Sequence, residues 1–245
     1  MDPHGKVALI TGGARIGQAV AHALARRGCH LALTYRESRA AAEATVAAVR
    51  AMGVKAEAFR ADACEEAEVA SAVDRAVAGL GGIDILINMA SSYTKTPLAR
   101  LGLKAWSEAL DANARSAFLF SVKVAPLMKK AGAGRIINFS DWLTVSGRPR
   151  YEGYTPYYVA KKAVDGLTEA LALDLAPDIL VNTIAPGPIL PPADLSADDN
   201  AKVIAATPLR RWGGSEEIAK AVLFLIETDF VTGECLRVDG GRHLY

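Results

Sequence analysis

The sequence predicts a single α/β domain built on a doubly wound, seven-stranded parallel sheet, and three observations carry that prediction. Short runs rich in Val, Ile and Leu alternate with longer Ala-rich amphipathic stretches, the rhythm of βαβ units. The short runs are apolar at successive positions rather than at every second one, as strands covered by helices on both faces require. No Pro/Gly/Ser linker, internal repeat or low-complexity block divides residues 1–245, so the whole span is expected to fold as one unit.

Strands are expected at "VALI" (7–10), "LALTY" (31–35), "AEAF" (56–59), "DILINM" (84–89), "RIINFS" (135–140), "LVNTIAP" (180–186) and "CLRVDG" (235–240). The stretches between them carry the helices, including one long helix over "KAWSEALDANARSAFLFSVKVAPLM" (104–128). Only "PGPILPPADLSADDNAKV" (186–203) resists assignment, since four prolines and several acids argue for a loop with at most a short helix. In an open α/β sheet the ligand lies beyond the carboxyl ends of the strands, where this loop is placed to cover it.

Composition narrows the partners. The chain has 28 basic and 27 acidic side chains and a formal net charge of +1, spread without a basic stripe or acidic tail. Nucleic acid and membrane surfaces are therefore not expected partners; a small molecule or a second copy of the chain is. Cys29, Cys64 and Cys235 form no CxxC or Cys/His spacing, which argues against a disulfide framework and a zinc site and fits a reducing compartment. The amino-terminal apolar run is too short for a signal peptide, and no later run approaches a membrane span. A soluble, cytoplasmic protein is expected.

"VALITGGARIGQAVAHALARRG" (7–28) is a strand, a glycine-rich turn and a helix, the context in which a Rossmann-type fold holds a dinucleotide. Gly12 and Gly13 allow a tight turn near a pyrophosphate, and Gly17 allows the helix to start close to the strand. Nicotinamide cofactors differ at the adenosine ribose, where an acid after the second strand suits a 2′-hydroxyl and an arginine suits a 2′-phosphate. Here the strand ends "LTYRES", with Tyr35 and Arg36 at its tip, and Arg15 in the turn could reach the same phosphate. NADP is the expected cofactor, although Glu37 is one residue away and either arginine alone could be a solvated surface charge.

Taken together these segments resemble the short-chain dehydrogenase/reductase family over nearly the whole chain. The family's TGxxxGxG turn is similar to "TGGARIG", its adenine-side acid to Asp62, followed here by Ala63, and its NNAG segment to "NMAS", with Asn88, Ala90 and Ser91 at cofactor positions. Asn113 resembles the family's helical asparagine, "YYVAKK" its YxxxK segment, and Pro186-Gly187 its PG motif. Within the family, "NMASSYTKTPL" and the aspartate of "NFSDWL" resemble the pteridine reductases, which carry aspartate where most relatives carry a catalytic serine. Three departures stand out. The turn is one residue short and lacks its middle glycine, Met89 replaces the second Asn of NNAG, and extra residues in "GRPRYEGYTP" separate Asp141 from Tyr157.

Two Tyr-xxx-Lys pairs overlap in "YYVAKKAVDGLTEALAL" (157–173). On a helical wheel at about 100° per residue, Val159, Ala160, Ala163, Val164, Leu167, Ala170 and Leu171 form an apolar arc with Tyr157 and Lys161 on its flank. Tyr158 and Lys162 fall on the opposite side with Asp165 and Glu169, a solvent face or a subunit contact. The family's YxxxK aligns with Tyr157 and Lys161, which are therefore the expected catalytic pair. Hydride transfer to a C=O or C=N carbon leaves a heteroatom that needs a proton. A phenol can supply it, and a neighbouring ammonium is expected to lower the phenol's pKa. The resemblance implies that Lys161 also binds the nicotinamide ribose and that Asn113 holds a water linking Lys161 to solvent.

Asp141 is expected at the carboxyl end of the fifth strand. A carboxylate there suits a substrate that offers N–H groups, or a proton relay through Tyr157, although a turn or helix cap is the alternative. Ser140 should face away by strand alternation. Tyr93 matches the aromatic that stacks on the pterin in the resembled subgroup, with packing inside its own loop as the alternative. The leading expectation is an NADPH-dependent reductase of a pteridine-like ring, with Tyr93, Asp141 and Tyr157 touching substrate. A 3-oxoacyl or general ketone reductase is the alternative, and a non-catalytic dinucleotide-binding sensor a further one. The resemblance and the apolar helix around "SAFLFSVKVAPLM" imply a homotetramer.

Overall fold

The computed structural model describes residues 1–12, 14–147 and 151–244. Seven strands, β1 (Val7–Thr11), β2 (His30–Tyr35), β3 (Ala56–Arg60), β4 (Ile85–Asn88), β5 (Gly134–Phe139), β6 (Ile179–Pro186) and β7 (Cys235–Val238), form one sheet in the order β3-β2-β1-β4-β5-β6-β7. Every neighbouring pair is parallel. The chain builds outward from β1 to β3, then crosses back and builds the other half from β4. This reversal opens a crevice beyond the carboxyl ends of β1 and β4, where an α/β sheet binds its ligand.

Burial explains why the strands are legible as apolar runs. All positions of β1, β4 and β5 are buried, whereas edge strands β3 and β7 keep half-exposed residues. Alternation sorts the side chains into two cores. Ala8, Ile10, Ile85 and Ile87 face one helical layer with Val20, Leu24 and Val222, and Leu9 and Leu86 face the other with Val73, Phe120 and Met128. Each such fully buried Leu or Ile contributes about 2 kcal/mol from removal of its surface from water.

The first layer is made by α1 (Ile16–Arg26), α2 (Arg39–Arg50) and α9 (Ser215–Glu227). The second is made by α3 (Glu66–Leu80), α5 (Ser116–Ala131) and α7 (Thr155–Leu175). The single helix expected over 104–128 is instead α4 (Leu103–Leu110) and α5, joined by a wide π-helical turn over Asp111–Arg115. Such a turn widens the helix and re-aims one side chain, here Asn113. The unassigned stretch is a loop followed by α8 (Ala197–Ala205), whose start is capped by Ser196 Oγ accepting from Asp199 N–H at 3.1 Å. No helix among the described residues is long and apolar enough to cross a membrane.

On α7 the expected arc is out of phase. Asp165 is buried rather than on the solvent side, and Ala163 and Ala170 are exposed. The buried stripe runs through Tyr157, Ala160, Lys161, Val164, Asp165 and Thr168, with the polar Ser140 and Thr144 close to Asp165 and offsetting part of the cost of burying its carboxyl.

Candidate active site

A cleft of about 480 Å³ opens at the reversal point. Of the residues singled out in the sequence, Gly12, Arg15, Ile16, Ser91, Tyr93, Asp141, Tyr157, Lys161, Pro186 and Gly187 line it. Gly17, Tyr35, Arg36, Asp62, Ala63, Asn88, Ala90 and Asn113 lie outside its lining. Gly13 lies outside the described residues, as do 148–150 within the extra segment before Tyr157.

At one end, Gly12 has φ +63, and a Cβ there would sit 2.7 Å from Ala90 Cα, so only glycine fits between the turn and the end of β4. Thr11 Oγ1 ties the same two segments together by accepting from the N–H groups of Met89 and Ala90, each at 3.1 Å. Gly17 is less constrained than expected, since a Cβ there would make only an ordinary 3.7 Å contact with Met89 Sδ. The shortened turn leaves Arg15 at φ 61, ψ −90, where the family pattern has its middle glycine. This conformation lies outside the left-handed α region, and such sparsely populated backbone costs a non-glycine residue on the order of 1–3 kcal/mol. It also throws the side chain across the cleft, where Nη2 donates to Pro191 O at 3.0 Å. Arg15 therefore points at the loop after β6 rather than at the tip of β2. The amino end of α1 has no capping side chain, so its first N–H groups remain available to an anion.

Tyr35 and Arg36 leave the tip of β2 beside Asp62 and Ala63, which follow β3. Arg36 lies 3.9 Å from Asp62 and 3.4 Å from Glu37. Asn88 was expected to face the cofactor, but its side chain turns beneath the sheet. Its Nδ2 donates to Asn138 Oδ1 at 2.9 Å, Asn138 Nδ2 donates to Thr168 Oγ1 at 2.8 Å, and Thr168 meets Thr183 at 2.6 Å. This polar ladder crosses three adjacent strand ends, at paired positions of β4, β5 and β6. The repeated "LIN", "IIN" and "VNT" endings were its sequence signal.

At the chemical end, Tyr157 (8% exposed) and Lys161 (3%) are buried one helical turn apart. Tyr157 Oη donates to Asp141 Oδ2 at 2.7 Å. Lys161 Nζ donates to Phe139 O at 2.8 Å and lies 5.8 Å from the centroid of the Tyr157 ring. Asp141 makes two contacts at once. It caps the short helix α6 (Trp142–Val145), its Oδ1 accepting from Leu143 N–H at 2.9 Å, and offers its other oxygen to Tyr157. Ser140 also lines the cleft, while its buried Oγ donates to Lys161 O at 3.1 Å.

The electrostatics differ from the simple expectation that Lys161 lowers the phenol's pKa. Tyr157 is pushed well above the ordinary tyrosine value, first by burial and then by the adjacent charge of Asp141 and its hydrogen bond. Burial also raises Asp141, against the opposing effects of Leu143 N–H, Tyr157 and Lys161. Burial lowers Lys161 to about 8, with Asp141 and Asp165 holding it up in part. The site thus keeps its phenol protonated and places it beside an ammonium that is charged at neutral pH.

Tyr93 is 57% exposed and stacks on Tyr154, centroids 4.6 Å apart, with its edge to Tyr157 at 4.8 Å. It thus has both an aromatic neighbour in its own wall and an open aspect toward the cleft. Asn113 is buried, and its Nδ2 donates to Ala109 O at 2.9 Å and Ser92 O at 3.2 Å. Its Oδ1 has no protein partner, which suits the water-holding role implied by its resemblance. The glycine-walled end, the uncapped helix and the buried Tyr-Lys pair fit a nicotinamide dinucleotide laid across the crevice.

Comparison with known proteins agrees with this geometry. The family model for enoyl-(acyl carrier protein) reductase matches residues 13–243. The 3-oxoacyl-[acyl-carrier-protein] reductase FabG of Staphylococcus epidermidis is 33% identical over 245 residues, covering 98% of this chain and 99% of that protein. A short-chain dehydrogenase/reductase from Serratia marcescens superposes with a TM-score of 0.91 at 35% identity, over 99% of this chain and 100% of that one. A 7α-hydroxysteroid dehydrogenase complexed with NADH and 7-oxo glycochenodeoxycholic acid does so with a TM-score of 0.91 at 33% identity, over 98% and 94% of the two chains.

Proposed function

We propose, for a chain that belongs to the short-chain dehydrogenase/reductase family, an NADPH-dependent reductase that reduces the carbonyl of a small ketone or 3-oxoacyl compound. The observation that carries this reading is the buried phenol of Tyr157, which lines the cleft of about 480 Å³ and is held protonated beside Asp141. When bound, the reduced nicotinamide supplies a hydride to the carbonyl carbon. Tyr157 then gives its phenolic proton to the carbonyl oxygen, a general-acid contribution of roughly 10² to 10⁴ in rate. Lys161, anchored on Phe139 O, offsets the negative charge left on the phenolate. Asp141 holds the phenol in place until the substrate oxygen replaces it as acceptor. The unpartnered Oδ1 of buried Asn113 supports the water-holding role that the resemblance implies, with the water returning a proton by way of Lys161.

A second reading is reduction of a C=N bond in a pteridine-like ring. The specific observation behind it is Asp141, a charged acceptor that binds ring N–H groups more strongly than a neutral hydroxyl would, beside the half-open face of Tyr93. A panel following NADPH absorbance with acetoacetyl thioester, diketones and dihydropterins separates the two. Ketone turnover with no dihydropterin turnover supports the first reading and the reverse supports the second. Asp141→Ser sharpens the test, because it keeps an oxygen for the helix cap and supplies a hydroxyl donor for ketones but exchanges the charged, two-oxygen acceptor for a single neutral one.

Preference for NADP over NAD rests on Arg36 and on the absence of an acid at the tip of β2. Fluorescence titration with both cofactors tests it: equal or tighter binding of NAD contradicts it. A cytoplasmic homotetramer is the assembly we propose, since Phe118 and Val122 on α5 and Leu173 on α7 expose apolar surface. Light scattering at micromolar concentration should give four times the chain mass.

A further inference from the structure

We infer that Arg242 is an anion-recognition point at the substrate end of the cleft, so that the substrate carries an oxyanion beyond an apolar body. The inference rests on the reductase reading above. Arg242 follows β7 and lines the cleft on a wall shared with Trp142, Leu143, Val203 and Trp212. Its guanidinium carbon lies 5.5 Å from the centroid of the Trp142 ring, and Trp142 directly follows Asp141 in the chain. Nη1 donates to Ala206 O at 2.7 Å, which fixes the side chain against the start of the segment after α8.

No carboxylate among the described residues pairs with this guanidinium. The acid nearest in sequence, Asp239, is taken up by its own turn. Its Oδ1 accepts from Gly241 N–H at 3.0 Å, and its Oδ2 accepts from His243 N–H at 3.0 Å and lies 2.7 Å from His243 Nδ1. A guanidinium carries five N–H donors in a fixed fork and stays charged at any working pH. Among the described residues its one hydrogen bond is to a carbonyl, which leaves the other donors of the fork for a ligand.

The other cations of the cleft are occupied differently: Lys161 serves Phe139 O and the phenol, and Arg15 reaches Pro191 O. Among the described cleft-lining residues, Arg242 therefore stands as the positive charge set apart on the apolar wall. Trp142 and Leu143, both buried, and the half-buried Val203 and Trp212 give the cleft apolar surface beside it, where a charge-assisted hydrogen bond is stronger than in open water. The wall describes a molecule with its carbonyl at Tyr157, an apolar middle against the two indoles, and a carboxylate or phosphate at the far end.

Matched probes test this on the holoenzyme. We would titrate 4-oxocyclohexanecarboxylate, inorganic phosphate and the uncharged methyl ester of the first into the NADP complex by calorimetry, using wild type, Arg242→Met and Arg242→Lys. The expected result is that wild type binds the carboxylate about tenfold more tightly than its ester, the scale of one charged hydrogen-bonded pair. Arg242→Met should collapse that ratio to about one, and Arg242→Lys should keep part of it; a purely structural loss would weaken both probes without changing their ratio. Competition by phosphate identifies a phosphate-bearing substrate, and its absence a carboxylate-bearing one; both are forms of the proposal. Equal affinity of acid and ester for wild type, no binding of the acid, or an unchanged ratio in Arg242→Met overturns it. Selective binding of the acid without reduction of any ketone or dihydropterin counts against the reductase reading instead.

Discussion

Two Tyr-Lys pairs sit one residue apart on α7 with the same spacing and opposite fates. Tyr157 and Lys161 are buried beneath the cleft, bonded to Asp141 and Phe139. Tyr158 is half-buried and Lys162 stands in solvent. Sequence spacing cannot tell them apart; a rotation of about 100° between successive residues does. The difference teaches that the chemistry comes from burial. Removal from water raises the phenol of Tyr157 and lowers the ammonium of Lys161, bringing a proton donor and a cation into one small volume.

The comparison can be broken at its strongest point first. Tyr157→Phe should lower turnover by roughly 10² to 10⁴, the scale of a lost general acid. NADPH affinity by fluorescence titration and the thermal midpoint should stay near wild type, because the ring still packs against Tyr93.

Lys161→Met should lower turnover by about 10² or more through loss of the cation that offsets the phenolate. It should also make the protein more stable near pH 7, by on the order of 1–3 kcal/mol in chemical denaturation, since a buried ammonium is costly. The sign follows from the lowered value. Lys161 titrates at about 8 in the folded protein, below the 10.5 of the unfolded chain. The unfolded chain therefore holds the extra proton between those values, and wild-type stability rises with pH across that window. The advantage of Lys161→Met should shrink from about pH 7 to about pH 10; a constant gap contradicts the assignment. The same group makes wild-type kcat/KM fall as pH rises through about 8.

The smallest effects belong to Tyr158 and Lys162. Tyr158→Phe and Lys162→Ala should each leave kcat/KM within about twofold, as surface substitutions away from a site usually do. A larger change in assembled protein, absent from dilute protein, would reveal a subunit contact on that face.

Much of the fold was legible because the strands are apolar on both faces, and the order of the runs leaves little choice of topology once a parallel sheet is assumed. The site was legible where a motif fixes both residue type and place, as with Gly12, Asp141, Tyr157, Lys161 and Gly187. It failed where three-dimensional neighbours decide. "ALDANARSA" reads as unbroken helix, and nothing local announces the π-helical turn that aims Asn113. Asp165 looks like a surface acid until Ser140 and Thr144 are brought to it from another element. Arg15 points to Pro191 because one missing residue forces a positive φ, which no propensity encodes. The ranking of substrates changed for a different reason. Asp141 favours a pteridine-like ring, while relatives matched along the whole chain favour ketones and 3-oxoacyl compounds.

The most direct test of the claim that burial selects the donor is a single-turnover experiment on Tyr157→Phe and Tyr158→Phe, each preloaded with NADPH and mixed with a substrate found in the panel. Loss of NADPH absorbance then reports hydride transfer free of product release. The account predicts that Tyr158→Phe transfers hydride at close to the wild-type rate, while Tyr157→Phe binds NADPH normally and is slower by at least about 10². A wild-type rate in Tyr157→Phe, or a collapse confined to Tyr158→Phe, would contradict it.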